Sequence, residues 1–215
     1  MRWAADASRD LPLRTVLLAP SSVPSAPGLE LAGADFDADV IADILSWPEI
    51  GGIAEMMNMR GVIDGEARIT GIVQAGLAAG KPVNGHARSL AGSDLQAFVT
   101  AGVSSDHELV SGDDLLEKLR AGLSIELRGS HDHLLPDFVK TIKALGHLPQ
   151  TVTLCTDDVF PDDLAHAGGL DRGEQPAIDA DHDEGEQRQH RGQRPDGQHS
   201  VGAEAQRDAP PQRVH

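Results

Sequence analysis

The chain has 215 residues and a formal net charge of −16 at pH 7, from 34 acids against 18 bases. That balance repels nucleic acid and anionic membranes over most of the surface. The single cysteine, Cys155, excludes a disulfide framework and a cysteine-based zinc cluster, and no run of about 18 apolar residues is present to span a membrane.

The opening Met1-Arg2-Trp3-Ala4-Ala5-Asp6 is too polar for a signal peptide, so a cytoplasmic protein is expected. Residues 14–18 form a β-branched apolar run that breaks at Ala19-Pro20-Ser21. Residues 39–45 have helical spacing and stop before Trp47-Pro48, and the acids around them form a solvated helix face. A short apolar run follows over 50–54. The spacing of Ile72, Val73 and Leu77 predicts a helix over 69–79, ending at Gly80. Residues 81–83 open another strand. A helix is predicted over 94–100, with Ser93 as its N-cap, then a strand over 103–105. A helix over 113–120, a strand over 124–127, a helix over 134–145 and a strand over 151–155 complete the pattern.

Strand and helix alternate with short links, which predicts a parallel α/β sheet. No Gly-x-Gly-x-x-Gly turn follows any strand, which counts against a dinucleotide fold. Polar residues gather where strands end, as they do on the C-terminal face of a parallel barrel. The pattern therefore favours a barrel, with an open sheet as the alternative. Trp3 and Trp47 read as packing residues, Cys155 as a small core residue, and Met56, Met57 and Met59 as core or pocket lining.

Composition changes after residue 171. Residues 1–171 hold every Leu, Met, Phe and Trp of the chain, whereas 172–215 hold only Ile178, Val201 and Val214 as large apolar residues. That stretch has too little apolar area to offset the entropy of ordering, so a disordered C-terminal tail is expected.

The strand-end residues carry the chemistry. Glu55 follows Gly51-Gly52-Ile53-Ala54, His86 follows Val83-Asn84-Gly85, His107 follows Ser104-Ser105-Asp106, and Asp157 follows Leu154-Cys155-Thr156. Two imidazoles and two carboxylates delivered to one rim make a donor set for a divalent metal. Such an ion generates hydroxide near neutral pH, and an adjacent carboxylate takes and returns the proton.

These segments also carry a resemblance. Gly52-Ile53-Ala54-Glu55-Met56-Met57-Asn58, Pro82-Val83-Asn84-Gly85-His86-Ala87 and Gly102-Val103-Ser104-Ser105-Asp106-His107-Glu108 resemble the strand-four, strand-five and strand-six motifs of bacterial adenine deaminases. Leu154-Cys155-Thr156-Asp157-Asp158, with Pro161-Asp162-Asp163-Leu164, resembles strand eight and the loop beyond it, and residues 17–24 resemble strand three. The resemblance runs over roughly residues 8–171. It implies a partial (β/α)8 TIM-type barrel of the amidohydrolase kind. It also implies hydrolytic deamination of adenine to hypoxanthine and ammonia, on an iron or manganese centre that is often binuclear.

Carried over residue by residue, the resemblance makes Glu55 the bridging carboxylate, His86 and His107 metal ligands, and Asp157 a metal contact and proton shuttle. Glu108 and Asp158 are neighbours in the same motifs. Adenine is the implied small-molecule substrate, and a homo-oligomer is compatible with the family. Another amino-purine substrate, or a non-catalytic remnant that binds metal or a partner, is the alternative.

The sequence departs from the family pattern in three places. The family's strand-one His-x-His pair has no counterpart upstream of residue 17, so strands one and two are expected to be missing. His131-Asp132-His133 imitates that pair but follows strand seven, where a loop role or a substrate role is open. After Asp171 the chain switches to a stretch with no apolar period, as a change of reading register would produce. Six of eight strands would leave two open edges and an apolar inner face, hence an unstable or partner-dependent chain with little deaminase activity.

Overall fold

Backbone pairing begins at β2 (Ile50–Met56), where two glycines let neighbouring chains come close. A Cβ on Gly52 would lie 2.7 Å from the carbonyl oxygen of Pro82. In the computed structural model, which describes residues 1–169, β2 pairs in parallel with β1 (Leu17–Ala19) on one side and β3 (Val83–Gly85) on the other. A second parallel sheet holds β4 (Ser105–Asp106), β5 (Ser124–Arg128) and β6 (Val152–Cys155), in that order.

The two sheets meet where β3 and β4 run side by side. The Ser104 N–H donates to the Val83 carbonyl at 2.9 Å, and the Ser105 hydroxyl donates to Asn84 Oδ1 at 3.0 Å. Each strand therefore neighbours the next one in the sequence. The described strands do not close on themselves, so the barrel expectation is met only as an α/β fold with parallel sheets.

Helices make the returns. α2 (Ala38–Leu45) starts at Asp37, whose carboxylate accepts the Val40 N–H at 3.0 Å, and buries Ile41, Ile44 and Leu45. α4 (Ala67–Ala78) lies against α2 and buries Ile69, Ile72 and Val73. α5 (Gly92–Thr100) buries Leu95 and Phe98. α6 (Gly112–Arg120) is capped by the Ser111 hydroxyl, has Asp113 and Asp114 in its first turn, and has Lys118 and Arg120 in its last, as the helix dipole favours. α7 (Leu135–Leu145) has a proline in its first turn and stops at Gly146, whose φ of +75° is left-handed. Three short helices escape the periodic reading: α1 (Arg2–Ser8), α3 (Met59–Ile63) and α8 (Pro161–Ala167). They are too brief to show a repeating apolar stripe.

The apolar interior has two parts. One gathers Ile41, Ile50, Ile53, Ile72, Val83 and Phe98. The other gathers Leu95, Leu115, Leu123, Ile125 and Phe138. α5 contributes to both, through Phe98 and Leu95. Strand alternation sends Leu17, Ile53, Val83, Ile125 and Leu127 into these cores. It sends Leu18, Ala54, Asn84, Glu126 and Cys155 into a cavity of about 280 Å3 on the other face. That face was expected to be apolar; it is mixed, because β3 and β5 present Asn84 and Glu126 to it.

Other expectations shift. β3 and β4 begin two residues later than predicted, and their polar ends join the pairing: Gly85 pairs with Met56, and Ser105 and Asp106 pair with Ser124 and Ile125. α5 starts at Gly92 after Ala91, not behind a Ser93 cap. Trp3 is 83% exposed and packs into neither core, since α1 buries only Ala5. Trp47 does pack against the first core, with the Arg2 guanidinium 3.6 Å above its ring. Met56 is buried and Met59 packs beside it, but Met57 is exposed. Among the described residues, no helix is long and apolar enough to cross a membrane. The tail predicted over 172–215 lies outside the described residues.

Gly85 is where close approach matters most. A Cβ there would overlap the Ser105 carbonyl oxygen and stand 2.7 Å from Val103 Cγ1. Gly85→Ala is expected to destabilise the chain by about 1–3 kcal/mol, because backbone cannot yield as a flexible side chain does. A urea midpoint that moves down with unchanged slope is the expected result; an unchanged midpoint would place β3 and β4 further apart.

Candidate metal centre

Parallel strands deliver their C-terminal ends to one side, and the four sequence-predicted residues lie at such ends. Glu55 is the penultimate residue of β2. His86 directly follows β3, His107 directly follows β4, and Asp157 stands two residues past β6.

Three of them converge on one atom. Glu55 Oε2 lies 2.9 Å from His86 Nδ1 and 3.1 Å from His107 Nε2. The two rings meet edge to face, with centroids 5.6 Å apart. Hydrogen bonds from His107 and then His86 hold the Glu55 carboxyl down at about 2, against the opposing effect of partial burial. For His107, burial is the largest single influence and lowers its pKa. The hydrogen bond and charge of Glu55, with Asp157 and Asp106 behind it, outweigh burial and leave the imidazole above its ordinary value.

Asp157 belongs to a second cluster. Donor atoms of His107, Glu108 and Asp157 all lie within 4.8 Å of one another, as do those of Glu55, His86 and His107. His107 is common to both groups. Asp157 adopts φ +53°, a left-handed conformation tolerated by aspartate, and its carboxylate is ion-paired with Arg128. Arg128 is buried and also pairs with Glu108, and reaches the exposed Asp158 at 2.8 Å. Arg88, a half-exposed loop arginine, pairs with Glu108 at 2.6 Å.

A buried layer lies beneath the rim. Asp106 is fully buried; its Oδ1 accepts the backbone N–H of Ala87 at 2.6 Å and of Glu108 at 3.2 Å. Its Oδ2 is 2.8 Å from Nζ of Lys118, which is also fully buried. Lys118 Nζ lies 3.0 Å from Asp114 Oδ2 and donates to the Glu108 carbonyl at 3.3 Å.

Inspection of the sequence missed Arg128 and Lys118. Arg128 stands at the end of β5 and directly follows the predicted strand 124–127, the position that singled out Glu55, so the same rule could have found it. Lys118 forms an i,i+4 pair with Asp114, a pattern that looks like a solvated face.

His131 and His133 lie on a 3-10 turn, Gly129–Leu134, and join neither donor group. Burial first, then the charges of Arg128 and Arg88, lower the His131 pKa. Cys155 is half-buried in the cavity wall rather than deep in the core, and burial followed by the Glu126 charge pushes its thiol up to about 11. Near neutral pH it is a protonated wall residue.

No protein-family model matches the chain. It is 80% identical over 171 residues to adenine deaminase 2 of Rhizobium meliloti (strain 1021), and 58% identical over 170 residues to adenine deaminase of Serratia proteamaculans (strain 568). It is 38% identical over 181 residues to adenine deaminase of Moorella thermoacetica. These alignments take in 80%, 79% and 83% of this chain, and 29%, 29% and 30% of the respective relatives. The chain thus spans under a third of the length of the curated relatives it matches.

The Glu55 bonds set a pH signature in the metal-free chain. Because Glu55 titrates near 2 when folded, its contribution to stability is present above its ordinary value near 4.5 and is lost as pH falls toward 2. The raised His107 contributes below about 6.5, and that share is lost as pH rises through its folded value. In Glu55→Gln the His107 titration followed by NMR is expected to move to lower pH, since burial then acts with less opposition. A midpoint that stays or rises would refute the Glu55–His107 bond.

Proposed function

We propose that this chain, which belongs to the adenine deaminase family, carries the metal-binding and proton-handling rim of a hydrolase that converts adenine and water to hypoxanthine and ammonia. The observation that supports this best is a single carboxylate oxygen shared by two imidazoles at adjacent strand ends, beside a cavity of about 280 Å3. The all-parallel strands in chain order fit residues 1–171 as a sector of a (β/α)8 barrel of the amidohydrolase kind, whose chemistry sits on the C-terminal rim.

The donor set fits a hard-to-borderline divalent ion such as Mn²⁺ or Fe²⁺, because carboxylate oxygen and imidazole nitrogen converge without thiolate. Glu55, His86 and His107 would hold it, with Asp157 approaching from the His107 side. When bound, such an ion lowers the pKa of a water into the neutral range.

The remaining work falls to this chain's residues. In the reaction a C6–O bond forms, the C6–N bond breaks, and ammonia leaves. Asp157 accepts the proton of the attacking water and returns it to the departing nitrogen. Arg128 engages Asp157 Oδ2, which fixes the carboxylate and leaves Oδ1 for the proton. Leu18, Ala54 and Asn84 line the cavity beside Glu55, where a flat heterocycle would lie between apolar walls and one amide.

Two measurements test this function. Mn²⁺ at 100 times its Kd is expected to stabilise the folded chain by about 2.7 kcal/mol, and His86→Ala to remove that gain. The Mn²⁺-loaded chain is expected to release little ammonia from adenine, and that release to fall about 10²–10⁴-fold in Asp157→Asn. Release that survives this substitution would remove Asp157 from the chemistry. Release from a different amino-purine but not from adenine would reassign the substrate.

A further inference from the structure

The two imidazoles of the rim are not fixed by Glu55 alone. His86 and His107 each stand just past the end of a short strand, and short strands supply few ladder bonds to hold the residues beyond them. Yet the residue after each histidine donates its N–H to the same buried atom, Asp106 Oδ1, from Ala87 at 2.6 Å and from Glu108 at 3.2 Å. The other oxygen of Asp106 faces Lys118, and neither side chain has any solvent exposure. Lys118 in turn grips the Glu108 carbonyl and the first turn of its own helix through Asp114.

We infer that Asp106 is a positioning residue: its carboxylate, anchored to α6 by Lys118, clamps the backbone after His86 and after His107, and so sets the spacing of the two imidazoles. This rests on the proposed metal centre for its purpose but not for its geometry. One carboxylate oxygen accepting from both chain segments ties β3 to β4 at the point where the ladder between the two sheets is thinnest. The ion pair supplies the anchor, because a carboxylate held by a buried ammonium cannot swing away without stranding a charge. Orientation of ligands by groups behind them typically accounts for 10–100-fold in metal affinity.

Single substitutions would leave Asp106 or Lys118 charged and without the other, so paired variants carry the test, and both pairs lose the Lys118–Asp114 contact alike. Asp106→Asn with Lys118→Met removes both charges but keeps an acceptor for the two N–H groups. Asp106→Ala with Lys118→Met removes both charges and the acceptor. The readouts are the imidazole ¹⁵N–¹H signals of His86 and His107 in the metal-free chain, and Mn²⁺ affinity by titration calorimetry, each beside a thermal melt.

The Asn/Met chain is expected to keep both imidazole signals and the parent's affinity. The Ala/Met chain is expected to lose the hydrogen-bonded imidazole signals and to bind Mn²⁺ about 10–100-fold more weakly, beyond what its melting temperature shows. Parent-like signals and affinity in the Ala/Met chain would overturn the inference. If the parent itself fails to bind Mn²⁺, the metal centre falls while the imidazole signals still decide the positioning role. Should the Ala/Met chain not fold, amide exchange in the parent decides. Ala87 and Glu108 amides protected relative to Arg88 and Ser89 support the clamp, and equal exchange refutes it.

Discussion

Parallel pairing of successive strands is the constraint that governs this molecule. A parallel neighbour can be reached only by a crossover that carries the chain back to the starting end. Here helices make those crossovers, so every strand finishes on the same side. Glu55, His86, His107, Arg128 and Asp157 come from five different strand ends and more than a hundred residues of sequence, yet share one rim. No loop has to be long or specially folded to gather them. The strands can be short because the helices behind them carry the apolar burial, in two cores joined through α5.

That economy concentrates charge. Glu55, Asp106, Glu108 and Asp157 stand within a few strand ends of one another, in a chain already strongly acidic. Isolated carboxylates in such a place would be costly to ionise together. Each is answered by a specific partner: the imidazoles for Glu55, Lys118 for Asp106, Arg88 and Arg128 for Glu108, and Arg128 again for Asp157. The partners lie at different depths. Lys118 is sealed in, Arg128 is buried at the rim, and Arg88 is half-exposed. Charge compensation is thus graded from the α6 layer outward to solvent.

Much of this arrangement can be read from residues, and the limits are physical. Helices with several turns, such as α2, α4 and α7, write their period into the sequence. The strand-end rule finds Glu55, His86, His107 and Asp157 because polar residues after apolar runs are conspicuous. It cannot find Lys118, whose partner Asp106 is close in space but twelve residues away and on a different element. Nor does it place Trp3, because apolarity alone does not say whether a short terminal helix has a core to pack against. Chain order likewise leaves the pairing break between β3 and β4 invisible. Across that break a backbone bond from Ser104 to Val83 and the close approach at Gly85 still join the two strands.

The engagement of Arg128 with both Glu108 and Asp157 sets the charge on one side of the rim. Its guanidinium lies between Glu108 Oε1 and Asp157 Oδ2, beside the donor group of His107, Glu108 and Asp157. A delocalised, permanently charged group in that place acts as a built-in counter-ion. In the group of Glu55, His86 and His107 the carboxylate is met by imidazoles instead. The group of His107, Glu108 and Asp157 therefore carries an arginine charge of its own. The two halves of the rim therefore differ in counter-charge as well as in donor type, and His107 stands on the border between them.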